Sequence, residues 1–235
     1  QAAERAGAGA PREDGSGHLV SLTLYAHPFS SYCRKVQIPL EADGTPYVYR
    51  NVDPSEPGVA EELKRYWPLG KFPVLVDDGK VIAETSCIIE HLQVYHPGPN
   101  VWIPDGEEGR LARFLDRFFD NHIQGNFQPS VNHAIWPDGE GKAAARGIEA
   151  LRIAYDWLED NLPDGEWAAG DSFTLADCAA APALFYADWV DEIGDERPRL
   201  KAYRARLLAH PAVSKSVESA RPYRPYFPLG APDRD

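Results

Sequence analysis

Ser30, Ser31 and Cys33 stand together directly after a proline-bearing turn, at the predicted start of a helix. Hydroxyls and a thiol in such a place suit thiol chemistry. The first N–H groups of a helix have no intrahelical partner and carry positive potential, so the position favours an anion such as a thiolate. A serine hydroxyl cannot form a disulfide, but it donates a hydrogen bond to a sulfur brought from outside. Ser30 also has a purely structural reading, because serine at a helix start is an ordinary N-cap. Cys33, in the first turn, reads either as a thiol of depressed pKa with redox capacity or as a small apolar residue that packs.

The elements that must position these side chains follow from periodicity. Val20, Leu22 and Leu24 alternate as one face of a strand that runs into the turn, and the helix beyond keeps its apolar spacing to Leu40. Gly44 suits a left-handed C-cap. A second strand is expected over Pro46–Val52, and strand, helix and strand with short connections imply a right-handed parallel crossover. The loop Asp53–Gly58 leads to a short helical stretch, Val59–Trp67. Phe72–Ala83 reads as a hairpin turning at Asp78-Gly79. The helix after it, Thr85–Tyr95, places Ile88, Ile89 and Leu92 on one face. This order predicts an α/β thioredoxin-like domain with a mixed four-stranded sheet over 19–96.

His96–Pro104 is proline-rich and reads as a linker, 97–105. Beyond it the pattern is helical, over 107–128, 140–162, 174–189 and 198–209, so an all-α domain is expected for 106–228. Residues 1–18 read as a disordered leader without the apolar core of a signal peptide, and 229–235 as a tail. Thr174-Leu-Ala-Asp177 has capping-box spacing, a folding signal that carries no chemistry.

Bulk properties exclude several functions. The net charge of −12 argues against a nucleic-acid partner. No apolar run approaches the roughly 18 residues of a membrane span. The three cysteines, Cys33, Cys87 and Cys178, form no close pair, which fits a reducing, cytoplasmic setting. The histidines show no metal-ligand spacing, so no metal is assigned from the sequence.

Four stretches together resemble the cytosolic glutathione S-transferases, in a bacterial style with a serine-type active-site turn. They are His27-Pro-Phe-Ser-Ser-Tyr-Cys-Arg-Lys-Val36, Gly70-Lys-Phe-Pro-Val-Leu75, Ile82-Ala-Glu-Thr-Ser-Cys-Ile-Ile-Glu-His-Leu92 and Ala169-Gly-Asp-Ser-Phe-Thr-Leu-Ala-Asp-Cys178. Thr85 stands where the family usually has serine, and Ser31 where many members have proline. The first stretch also resembles the Cys-x-x-Cys element of glutaredoxins, with serine in place of the first cysteine.

The resemblance implies glutathione as co-substrate and a small apolar electrophile as acceptor. It implies Ser30 as the group that activates the thiol, with Tyr25, by analogy with tyrosine-type members, and Cys33 as alternatives. Ser31, Lys71, Phe72, Pro73, Glu84 and Thr85 become glutathione contacts. Pro73 would be cis and turn the Phe72 backbone towards the cysteinyl part; Glu84 and Thr85 would take the γ-glutamyl ammonium and carboxylate, and Lys71 the glycyl carboxylate. Arg113, Phe114, Arg117, Phe118 and Trp136 are expected at the acceptor pocket, the first four alternatively at a subunit interface, with Trp136 and the tail Arg221–Pro228 covering the pocket. A homodimer is implied, the first domain of one subunit against the helical domain of the other. Two other functions remain open: a glutathione-dependent thiol-disulfide or deglutathionylating enzyme using Cys33, and a non-catalytic binding module.

Overall fold

The computed structural model describes residues 22–137 and 139–234. The expected leader therefore lies outside the described residues. Strand β1 (Leu22–Ala26) leads into helix α1 (Ser31–Asp43), then β2 (Val48–Asn51), α2 (Val59–Tyr66), the hairpin β3 (Val74–Asp77) and β4 (Lys80–Ala83), and α3 (Thr85–Tyr95). The sheet order is β2-β1-β3-β4, with β1 parallel to β2 and antiparallel to β3. This is the mixed four-stranded sheet of a thioredoxin-like domain.

Alternation in β1 divides its side chains between two layers. Leu22, Leu24 and Ala26 pack with Cys33, Val36 and Leu40 of α1 and with Ile88 and Leu92 of α3. Tyr25 points the other way, joining Val59 and Leu63 of α2. Local signals act as expected: Gly44 is left-handed (φ 63°) and closes α1 through its N–H, and Asp78 and Gly79, both at positive φ, turn the hairpin.

The second half is helical: α4 (Gly106–Phe118), a π-helical turn at Phe119–Gln124, α5 (Gly125–Ile135), α6 (Lys142–Asn161), α7 (Leu175–Val190), α8 (Pro198–Ala209) and α9 (Pro211–Ala220), followed by a 3-10 segment, Arg221–Tyr226. Helix α7 is buried along nearly its whole length and forms the domain's axis, which suits its alanine-rich, almost uncharged sequence. At its start the Asp177 carboxylate accepts from the N–H groups of Thr174 (2.8 Å) and Ala168 (2.9 Å) and from the Tyr203 hydroxyl (2.7 Å).

The two halves are clamped together. Arg34 of α1 is fully buried, its guanidinium 4.4 Å from the centre of the Phe185 ring in α7. The stretch expected as a linker is docked: Trp102 is buried, its indole N–H donates to Asp43 (2.8 Å), and its carbonyl accepts from Leu175 N–H (2.7 Å). The tail is docked as well, since Arg234 donates to the Asp188 carbonyl (2.6 Å). No helix among the described residues is long and apolar enough to cross a membrane.

Candidate functional site

The turn between β1 and α1 is held from several sides. His27 places Nε2 3.1 Å from the Asp53 carboxylate, and its Nδ1 accepts from Phe29 N–H at 3.1 Å, which makes the Nε2–H form the donor to Asp53. Hydrogen bonds from Ser55, and then from His27, keep the Asp53 carboxyl below its ordinary pKa. The Phe29 carbonyl accepts from the Tyr186 hydroxyl of α7 at 2.8 Å, tying the turn to the helical domain.

Ser30 is the N-cap of α1, in extended backbone (φ −83°, ψ 125°), and its Oγ accepts from Cys33 N–H at 3.4 Å. A hydroxyl has one donor and two acceptor sites, so capping leaves the Ser30 O–H to donate elsewhere. Ser31 is the first residue of α1 and partly exposed. Both serines border a cavity of about 290 Å³. Its apolar wall includes Phe127, Val131 and Ile135 of α5, Tyr186 of α7, and Tyr226 and Phe227 of the C-terminal segment. Tyr32 also borders it; burial, then the nearby charges of Asp120 and Glu84, push its phenol up to about 12.

Sheet register brings the other expected residues to the same end of the domain. Tyr25 pairs with Val74 and Val74 with Ala83, so one step further along each chain sets Phe72-Pro73 beside the start of the turn and Glu84 beside Pro73. The Phe72–Pro73 peptide is cis, and the Phe72 ring lies 6.4 Å from that of His27. Glu84 caps α3 at φ 68°, a left-handed conformation rare for a residue with a side chain and typical of constrained functional positions. Thr85 opens α3, whose free N–H groups favour a carboxylate. Lys71 is exposed on the loop before Phe72.

Neither alternative for the thiol-activating group, Tyr25 or Cys33, borders the cavity. The Tyr25 hydroxyl donates to Glu62 at 2.7 Å beneath α2, on the opposite face of the sheet from α1. Burial and then Glu62 push its phenol up. Cys33 is fully buried and accepts from His27 N–H at 3.4 Å; burial pushes its thiol up to about 12 against the hydrogen bonds from Ser30 and His27. Burial of this kind disfavours the thiolate, the reactive form of a cysteine.

Of the five residues expected at an acceptor pocket, with a subunit interface as the alternative for the first four, none borders this cavity. Phe114 and Phe118 face α6, where Phe118 stacks on Trp157 at 4.5 Å and Phe114 meets it edge-on at 5.8 Å. Arg117 donates to Ser86 Oγ (3.1 Å) and pairs with Asp116 (3.2 Å). Arg113 is exposed on α4, and Trp136, 70% exposed, follows the last residue of α5 without turning into the cavity. The tail does border the cavity, through Tyr226, Phe227 and Pro228.

Sequence reading missed a buried ion network below the start of α3. Lys35, 1% exposed, places its ammonium 2.6 Å from both Asp116 and Asp120 and 3.3 Å from Ser86 Oγ, which itself donates to Asp116 at 2.7 Å. Burial raises the Asp120 carboxyl's pKa, with Lys35 opposing. Asp120 belongs to the π-helical turn, a distortion frequent near functional sites. The network fixes Ser86, next to Thr85, against α1 and α4.

A thioredoxin-like domain with a cis-proline beside a serine-capped helix start, docked on an all-helical domain across an apolar cavity, defines a class of glutathione-binding proteins. Comparison with known proteins agrees. Residues 24–100 match the model of the glutathione S-transferase N-terminal domain, and 141–206 that of the C-terminal domain. FtsZ-localized protein A of Caulobacter vibrioides is 31% identical over 74% of this chain and 80% of its own. Human glutathione S-transferase theta-2 is 30% identical over 81% of this chain and 82% of its own. The fold of the Phanerochaete chrysosporium glutathione transferase URE2P6, solved with oxidized glutathione, superposes with a TM-score of 0.74 at 22% identity, covering 86% of this chain and 97% of that one. The chain belongs to the glutathione S-transferase family.

Proposed function

We propose that the protein is a glutathione transferase that lowers the thiol pKa of bound glutathione through Ser30 and directs the thiolate at a small apolar electrophile. Glutathione lies along the Phe72 backbone at cis-Pro73, its γ-glutamyl carboxylate at the start of α3 and its ammonium at Glu84. Lys71 reaches the glycyl carboxylate. The sulfur then stands at the N-terminus of α1. An unperturbed thiol titrates near pH ~8.5, and lowering it by two units takes about 2.7 kcal/mol of preference for the anion. A hydrogen bond from Ser30 to the thiolate contributes about 1.5–3 kcal/mol and the helix end about 0.3–2 kcal/mol, a range that spans the requirement without an acid–base residue.

The observation that carries this reading is the double position of Ser30, at the N-cap of α1 and in the wall of the cavity. The electrophile occupies that cavity against Phe127, Tyr186 and Phe227. The active unit is a homodimer in a cytoplasmic setting. A second reading, a glutathione-fold binding module, is favoured by one fact: the Caulobacter relative is named for its localisation with FtsZ and not for an activity.

The test is calorimetric titration with glutathione together with conjugation assays on a broad electrophile panel. The transferase reading expects saturable binding and turnover with at least one electrophile. Binding without any turnover would leave the binding module, and absence of binding would overturn both.

A further inference from the structure

An aspartate and two histidines that the thiol chemistry does not use converge at the other end of the sheet. Asp77 ends β3, His91 lies on α3, and His96 follows its last residue. Asp77 Oδ2 lies 2.9 Å from His91 Nε2 and 2.7 Å from His96 Nε2, and the three ligand atoms all lie within 4.8 Å of one another. Asp77 pairs with Leu22 at the start of β1, whereas the active-site turn follows Ala26 at its end. The intervening strand keeps the cluster about 13 Å from the thiol site.

We propose that Asp77, His91 and His96 bind a divalent transition-metal ion of the zinc type, separate from the glutathione chemistry. Two imidazole nitrogens and one carboxylate oxygen suit Zn²⁺ and Co²⁺, whereas Mg²⁺ and Ca²⁺ prefer all-oxygen sites. The size fits. With metal–ligand bonds of about 2.0–2.1 Å, neighbouring ligands of a tetrahedral ion lie roughly 3.3 Å apart, so the two short contacts need to open by about half an ångström. Torsional adjustment of the imidazoles supplies that. No net proton loss is required for neutral rings: each moves its proton from Nε2 to Nδ1 as the ion replaces the two N–H···O contacts.

The frame is rigid on the buried side and open on the other. His91 is 8% exposed and its ring lies 4.6 Å from that of Tyr95. The His96 side chain is 24% exposed, so a water completes the fourth position there. Lys80 is opposite Asp77 in the hairpin register, and its ammonium lies 5.0 Å from the centre of the Tyr95 ring. A bound ion fastens the β3–β4 hairpin to the C-terminal end of α3. Spacing does not reveal this cluster, because Asp77 is 14 residues from His91 and only the return of α3 along the sheet joins them.

The test is titration of the untagged, full-length protein with Co²⁺ in thiol-free buffer, followed by Zn²⁺ competition. The expected result is a visible d–d band of a tetrahedral site with no thiolate charge-transfer band, displaced by Zn²⁺. His96→Ala and Asp77→Asn should each weaken binding at least ten-fold; His96 is partly exposed at the helix end, so its variant reads the site even if Asp77→Asn does not fold. Absence of the band, its survival in folded His96→Ala, or a thiolate band pointing to a cysteine would each overturn the proposal.

Discussion

Replacing Ser30 by alanine separates catalysis from capping. A hydrogen bond to a charged group contributes about 1.5–3 kcal/mol, so its loss raises the pKa of bound glutathione by roughly one to two units. If the wild-type complex titrates near ~6.5, about three quarters of the thiol is ionised at pH 7; in Ser30→Ala the fraction falls to between about a quarter and 3%. From the thiolate fraction alone, turnover at pH 7 drops about 3- to 25-fold, and the deficit closes as pH rises above the new inflection. Cap loss is the smaller effect, on the low side of about 1 kcal/mol, because the Oγ contact to Cys33 N–H is a long 3.4 Å. The assay is the pH profile of kcat/KM, with an ultraviolet titration of the thiolate in the binary complex. A rate loss equal at every pH, or an unmoved thiolate inflection, would refute the reasoning.

Other residues give different signatures. Tyr25→Phe should leave the pH profile of turnover unmoved while costing about 1–3 kcal/mol in urea unfolding, since it strips a hydrogen bond from Glu62. Alkylation of the native protein should modify exposed Cys87 quickly, and buried Cys33 and Cys178 only on unfolding; mass spectrometry after oxidised glutathione should show no adduct on Cys33. Burial opposes ionisation of Glu62, but hydrogen bonds from Tyr25 and Arg50 hold its carboxyl below the usual pKa. A depressed acid stabilises the fold above its unfolded pKa of about 4.5 and loses that contribution as pH falls through the folded value, so Glu62→Gln should flatten the acid limb of the stability profile below that pH.

The first domain was largely legible because its signals are local. Alternation set β1, glycine set the end of α1, and Asp78-Gly79 set the hairpin. The aromatic stripe on α4 was legible but its packing partner was not: Phe114 and Phe118 do form an i, i+4 stripe, and α6 takes that stripe through Trp157. Phe127, Val131 and Ile135 carry the same four-residue spacing on α5, past a π-helical turn that rotates the helix face and that no local motif announces. Lys35 carries no motif of its own on α1. Its burial depends on Asp116 and Asp120, on elements that only the packed fold brings near.

The most direct measurement is a structure of the protein with reduced glutathione bound. The sulfur should lie within hydrogen-bonding distance of Ser30 Oγ at the start of α1, facing the cavity lined by Phe127 and Tyr186. A sulfur held instead by Ser31 or Tyr32, with Ser30 turned away, would contradict the account.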